Sequence, residues 1–188
     1  RLNPGKPYHR PKQVFRSRLT CAARDLPALG YTRWHLDFAS AGISSRQVDA
    51  GTVIENAAYR IEVEGNGLLA ITHKASGKRY QRQMLLVENG DDGDSYNYSP
   101  PRQDMFITSE NALVQASRQQ DDLRQTLHLE YLLSVPASLE ERAQGIARSP
   151  MKVAATVTLQ DDDLIRFRVD VEDDVLSHRL CVHFATDI

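Results

Sequence analysis

The amino-acid sequence predicts an all-β fold, an antiparallel β-sandwich with about one short helix. Three observations carry that expectation. Apolar and polar residues alternate with period two in run after run, as on strands with one buried and one wet face. Clusters of Gly, Asn, Asp and Pro separate these runs at hairpin spacing. Helical periodicity is confined to one short stretch.

The elements follow in order. Residues 1–12 hold three of the eight prolines and read as an extended arm or linker. Val14–Cys21 sets Phe15, Leu19 and Cys21 against Arg16, Arg18 and Thr20 as a first strand. Pro27 and Gly30 make Arg24–Tyr31 a turn region. Tyr31–Phe38 then alternates Thr32, Trp34, Leu36 and Phe38 with Arg33, His35 and Asp37. Tyr59, Ile61 and Val63 face inward against Arg60, Glu62 and Glu64. Gly65-Asn66-Gly67 reverses the chain, Leu68–His73 returns, and Ser76-Gly77 sends Arg79–Val87 on as a third meander strand.

Further strands are expected over Met105–Thr108, Leu113–Ser117, Leu123–Leu133, Val153–Leu159, Ile165–Val171 and His178–Ala185. The run "QDDD" makes a hairpin turn before Ile165. Ser138–Ala147 is the helical stretch, with Ser138 and Glu141 spaced as a capping box. About ten or eleven strands are too many for one open twisted sheet, so two packed sheets are expected.

The 188 residues suit one large all-β domain and can bury roughly 70% of the unfolded surface. With 41% hydrophobic and 26% charged residues the composition is that of a globular chain. A net charge of -2 supplies no field to collect nucleic acid or an anionic membrane. No apolar run approaches the ~18 residues of a spanning helix. Cys21 and Cys181 read as two small buried hydrophobes, with a disulfide as the alternative. The chain starts without Met or a signal-peptide pattern. It is therefore expected to be cytoplasmic and to continue from a missing upstream domain, with residues 1–23 as the lead-in and 24–188 as the sandwich.

Catalytic patterns are missing. The six His form neither HExxH nor a Cys/His knuckle, and there is no GxSxG. His35 and Asp37 share a strand face, but no third or fourth ligand accompanies them. No residue of the chain is assigned to catalysis or to a metal, and no cofactor is expected within it. What stands out is "GDDGDSYNYSPP", Gly90–Pro101. If Asp94–Tyr98 is extended, Asp94, Tyr96 and Tyr98 project to one side. Tyr rings offer flat C–H-stacking faces and carboxylates accept hydroxyl protons, which together suit a sugar ring. A polar hairpin connection explains the same composition. Arg102 beside it reads as a solvated side chain.

Four stretches resemble a known family when taken in order. They are "LPALGY" (Leu26–Tyr31), "IENAAYRIEVEGNGLLAITHKASGKRY" (Ile54–Tyr80), "GDDGDSYNYSPP" and "SHRLCVHFAT" (Ser177–Thr186). The sequence resembles the β-sandwich region of glycoside hydrolase family 38, the α-mannosidases, and most resembles the bacterial mannosylglycerate hydrolase group. Cys181 and Ala185 stand where that family more often has Arg and Pro.

The resemblance implies a galactose-mutarotase-like supersandwich. It also implies a whole protein that is a retaining α-mannosidase using zinc in a missing catalytic domain. The partners implied are that protein's own catalytic barrel and helical domain, and a mannoside substrate. The family's barrel signature H-x-D-x-x-W is not met, because His35-Leu36-Asp37 lacks the tryptophan. By the resemblance Tyr96 is the tyrosine that the loop contributes to the sugar pocket, with Asp94 and Tyr98 beside it as substrate-binding candidates. The chain itself is then expected to be inactive. A free-standing carbohydrate-binding module and a structural scaffold are the alternatives.

Overall fold

In a computed structural model of the chain, the residues described are 20, 21, 23, 26–35, 46–94 and 96–186. The chain divides into two compact units, Arg1–Ser40 and Ala41–Ile188. In the first, Gly30 N donates to Pro27 O across 3.3 Å, and Leu29 takes a positive φ of 56°. That is the expected turn. Residues 31–35, expected to open a strand, are not in one, and Tyr31 and Trp34 are exposed. Their alternation finds no partner strand among the described residues, and period two alone does not make a ladder. The expected strand Val14–Cys21 lies almost wholly outside the described residues, as do Leu36 and Asp37. Both cysteines are free; Cys21 is exposed, contrary to expectation, and Cys181 is half-buried.

The second unit carries twelve strands and one helix among the described residues. They are β1 Gln47–Asp49, β2 Val53–Glu55, β3 Tyr59–Val63, β4 Leu69–His73, β5 Lys78–Gln83, β6 Leu85–Gly90 and β7 Ile107–Thr108. Then come β8 Leu113–Gln120, β9 Arg124–Val135, α1 Leu139–Ala143, β10 Ser149–Gln160, β11 Ile165–Glu172 and β12 His178–His183. The strands pair antiparallel throughout the described residues and build sheets β1-β8-β9-β10-β11, β2-β3-β4-β5 and β12-β6-β7.

The apolar faces of these sheets meet in one core, a β-sandwich. β9 sends in Leu127, Leu129, Tyr131, Leu133 and Val135, and β10 sends in Met151, Val153, Ala155, Val157 and Leu159. Leu129 opposes Ala155, and Tyr131 opposes Val153, so each pair shares a face. Ile54, Ile61, Leu69, Ile71, Met84 and Leu86 complete the core from the other two sheets. Burying each large aliphatic side chain contributes about 1.5–3 kcal/mol. The Tyr131 hydroxyl is satisfied by donating to Gly67 O at 2.9 Å, and burial pushes its pKa up.

Where the sequence predicts one third meander strand, two form. Arg82 and Met84 adopt left-handed φ of 57° and 59°, which breaks the ladder between β5 and β6. The chain thereby leaves the four-stranded sheet and enters the three-stranded one, giving three sheets in place of two. β6 is central in its sheet and buried from Leu86 to Gly90. It therefore carries Glu88 and Asn89 into the interior.

The helix is shorter than expected. Ser138 Oγ accepts from Glu141 N at 3.4 Å, but the Glu141 carboxylate takes Ala137 N in place of the Ser138 amide. Gly145, at φ 70°, ends the turn by donating to Arg142 O. This short helix delivers one buried cation, Arg142, to the end of β6.

Candidate functional site

The segment between β6 and β7 is held by its own aspartates. Asp91 Oδ1 accepts from Gly93 N at 2.9 Å and from Ser99 N at 3.0 Å, while Asp92 N donates to Ser99 O at 2.7 Å. These bonds pinch the two limbs together. Asp94 Oδ1 accepts from Tyr96 N and Asn97 N, each at 2.8 Å, and so folds the tip into a turn. Gly93 backs directly onto the Asn97 carbonyl, leaving no room for a Cβ. Backbone amides hold the Asp91 and Asp94 carboxyls below the usual carboxylate range.

The extended arrangement expected for Asp94–Tyr98 therefore does not form. The loop's own short carboxylates take the backbone amides that an extended strand would offer to a partner. Asp94 shapes the tip. Tyr96 stands on it at 93% exposure, free for an outside contact. Tyr98 is 42% exposed and fixed: Asn89 Nδ2 donates to its hydroxyl at 3.0 Å. The Arg179 guanidinium covers the Tyr98 ring at 3.4 Å from the centroid and donates from Nε to Asn89 Oδ1 at 3.0 Å. Asn89, Tyr98 and Arg179 thus close a ring of contacts, in which the Tyr98 hydroxyl serves as an acceptor. Arg102 is exposed, as expected.

Beneath the loop lies a charged group that alternation does not reveal. Glu88, 0% exposed, pairs with Arg142 Nη2. Arg142 Nη1 lies 3.3 Å from Asp104 Oδ1 and donates to Met105 O at 2.6 Å. Asp104 Oδ1 also accepts from Gly90 N at 2.9 Å, at the root of the loop. On the other side His178 reaches Glu88 and Asp173. Gly90 is pressed by Arg142 Cδ and by Pro101 Cγ, each placed 2.7 Å from where a Cβ would sit. Its role is close approach; a left-handed φ is not involved. The only sequence signal for this group was the acid-rich run beginning at Glu88; its partners come from α1 and β12, far along the chain.

Among the described residues no group of three or more His, Cys, Asp or Glu is placed to hold a metal ion, so they offer no ligand set for zinc. No described helix is long and apolar enough to cross a membrane.

No family profile matches the chain, and no curated protein matches its sequence. Solved structures do match. One is an alpha-mannosidase from Enterococcus faecalis V583, with a TM-score of 0.64 and 22% identity over 79% of this chain. Another is a protein of glycosyl hydrolase family 38 from Enterococcus faecalis, at 0.61 and 22% over 76%. The match spans 19% of the length of each of those chains. At this identity the likeness is one of fold. Neither is described as a mannosylglycerate hydrolase, so the narrower resemblance gains no support from them.

Proposed function

We propose that the chain is a non-catalytic β-sandwich domain of an α-mannosidase-like glycoside hydrolase, and that its tyrosine loop forms one wall of a mannoside pocket. The observation that supports this reading is an exposed Tyr96 carried on a loop that is rigid at its base. Such a loop presents an aromatic face with its backbone already ordered before binding. The fold shared with an alpha-mannosidase points to mannosides as the substrate class. In this reading Tyr96 stacks on the sugar and Tyr98 donates its hydroxyl proton to it. Asp94 contributes by holding the tip. The reacting groups and any zinc belong to other parts of the same polypeptide.

The test uses the natural protein that contains this chain. Tyr96→Ala is expected to lower kcat/KM on an aryl α-mannoside by about tenfold or more, as loss of a pocket contact does, with an unchanged melting temperature. Wild-type kinetics in that variant would discard the assignment.

One observation favours a second reading, a sugar-binding module that works alone: Asn89 and Arg179 already fix the Tyr98 ring in place. Calorimetric titration of the isolated chain with mannose separates the two. A pocket wall by itself binds too weakly to register, whereas a complete module gives a saturable isotherm.

A further inference from the structure

His178 stands between two carboxylates. Its Nε2 lies 2.9 Å from Asp173 Oδ2 as a hydrogen bond, and its buried Nδ1 lies 3.3 Å from Glu88 Oε1, at ion-pair distance but without hydrogen-bond alignment. An ionised carboxylate only accepts. A neutral imidazole has one N–H, so one of the two acids would face a ring lone pair; the imidazolium alone offers a proton to both. The charge balance agrees. Glu88 and the largely buried Asp104 share a single guanidinium, that of Arg142, and Glu88 Oε2 is buried with no hydrogen-bond partner. Arg179, the next residue, is committed to Asn89 and Tyr98. Without a proton on His178 this buried group holds more negative than positive charge, which low-dielectric surroundings penalise.

The ring also sits where the loop begins. His178 pairs with Gly90 across the β6–β12 ladder, and Arg179 pairs with Asn89. Ser177, held at a positive φ of 56°, accepts Asp91 N at 2.9 Å through its carbonyl. Any movement of β12 at His178 therefore reaches Asp91 on one side and Tyr98 on the other.

We propose that His178 is a proton-operated latch on the tyrosine loop: as the imidazolium it bridges Glu88 and Asp173 and holds the end of the β6–β12 ladder closed, and on losing its proton it lets Asp91 and Tyr98 go. The groups that face the ring are Glu88 from β6 and Asp173 from the segment after β11. Behind Glu88 stand Arg142 from α1 and Asp104 from the loop before β7. The nearby Glu88 carboxylate, and then the bond to Asp173, raises the ring's pKa above the usual 6.5 against the opposing effect of burial. A raised folded-state pKa means that the latch is fully closed below pH 6.5 and opens as pH rises through the raised value. Its consequence for sugar binding rests on the reading of the loop given above; the latch itself does not.

The experiment follows His178 ring shifts and Asp91 amide exchange by NMR on the full chain, from about pH 5 to about pH 9. Exchange is corrected for its intrinsic pH dependence, with the Leu129 amide in the sheet centre as control. The ring is expected to titrate above 6.5, with Asp91 protection falling about tenfold or more over the same interval. Asp173→Asn should move both midpoints down together, and it serves where His178→Gln does not fold. His178→Gln, if folded, should leave Asp91 weakly protected at every pH. A ring that titrates at or below 6.5 overturns the proposal, and so does Asp91 protection that stays constant as the ring deprotonates. No sugar enters these readouts. A working latch with wild-type turnover in the Tyr96 variant discards the functional reading alone; the reverse discards the latch alone.

Discussion

Asn56 shows how much one side chain can join. Its Nδ2 donates to Gln160 O at 2.7 Å and to Asp162 O at 2.9 Å, both on the hairpin between β10 and β11. Its Oδ1 accepts from Ala58 N at 3.0 Å and from Tyr59 N at 2.7 Å, shaping the turn into β3. One amide therefore ties the four-stranded sheet to the five-stranded one. Asn56→Ala strands four backbone groups and should lower stability by about 1–3 kcal/mol. Asn56→Asp keeps the accepting half and loses the donating half, so urea unfolding should place it between wild type and Asn56→Ala. Asn56 was legible in the sequence only as part of a family-like motif; its reach to Gln160, 104 positions away, was not. The same holds at Asp91 and Asp94. Their presence in a polar loop was plain, yet their composition suggested acceptors for a ligand, and the backbone amides two to eight residues away take them first.

Among the elements, the loop between β6 and β7 has an acid dependence of its own. Asp91 and Asp94 are held below their usual 3.8 by amides that bond only the ionised form well. The sign follows: this bonding is fully present above pH 3.8 and is lost as pH falls through the lower folded values. NMR should show the Gly93, Tyr96, Asn97 and Ser99 amides keeping their shifts down to pH 3.8 and collapsing below it, while the sheet amides are still in place. Retention of those shifts in stronger acid would mean that the carboxylates do not hold the loop. The strands themselves divide into two kinds. β3, β4 and β8 to β12 were readable because each has one apolar face long enough to show a period. β1 and β2 have three residues each, too few for one. The break between β5 and β6 depends on left-handed φ at Arg82 and Met84, residue types that give no turn signal.

Across the whole molecule, the buried pair Glu88–Arg142 ties α1 to the three-stranded sheet. Removing one partner of such a pair leaves an uncompensated charge in the interior, at a cost of about 3–5 kcal/mol. Arg142→Met should therefore unfold at markedly lower urea concentration. The double variant with Glu88→Gln should recover part of the loss, because the more deeply buried of the two orphaned carboxylates is gone while Asp104 remains. A double variant no more stable than the single one would show that Glu88 carries no penalty alone. These 188 residues determined by themselves that the chain is an antiparallel β-sandwich, because burying one face of a strand imposes period two on its side chains. They also placed the tyrosine loop, because Gly, Asp and Pro cannot continue a ladder. The tertiary structure alone decided that Glu88, Arg142 and His178 share one buried site. Charge pairing acts through space between β6, α1 and β12, and it leaves no period in the sequence.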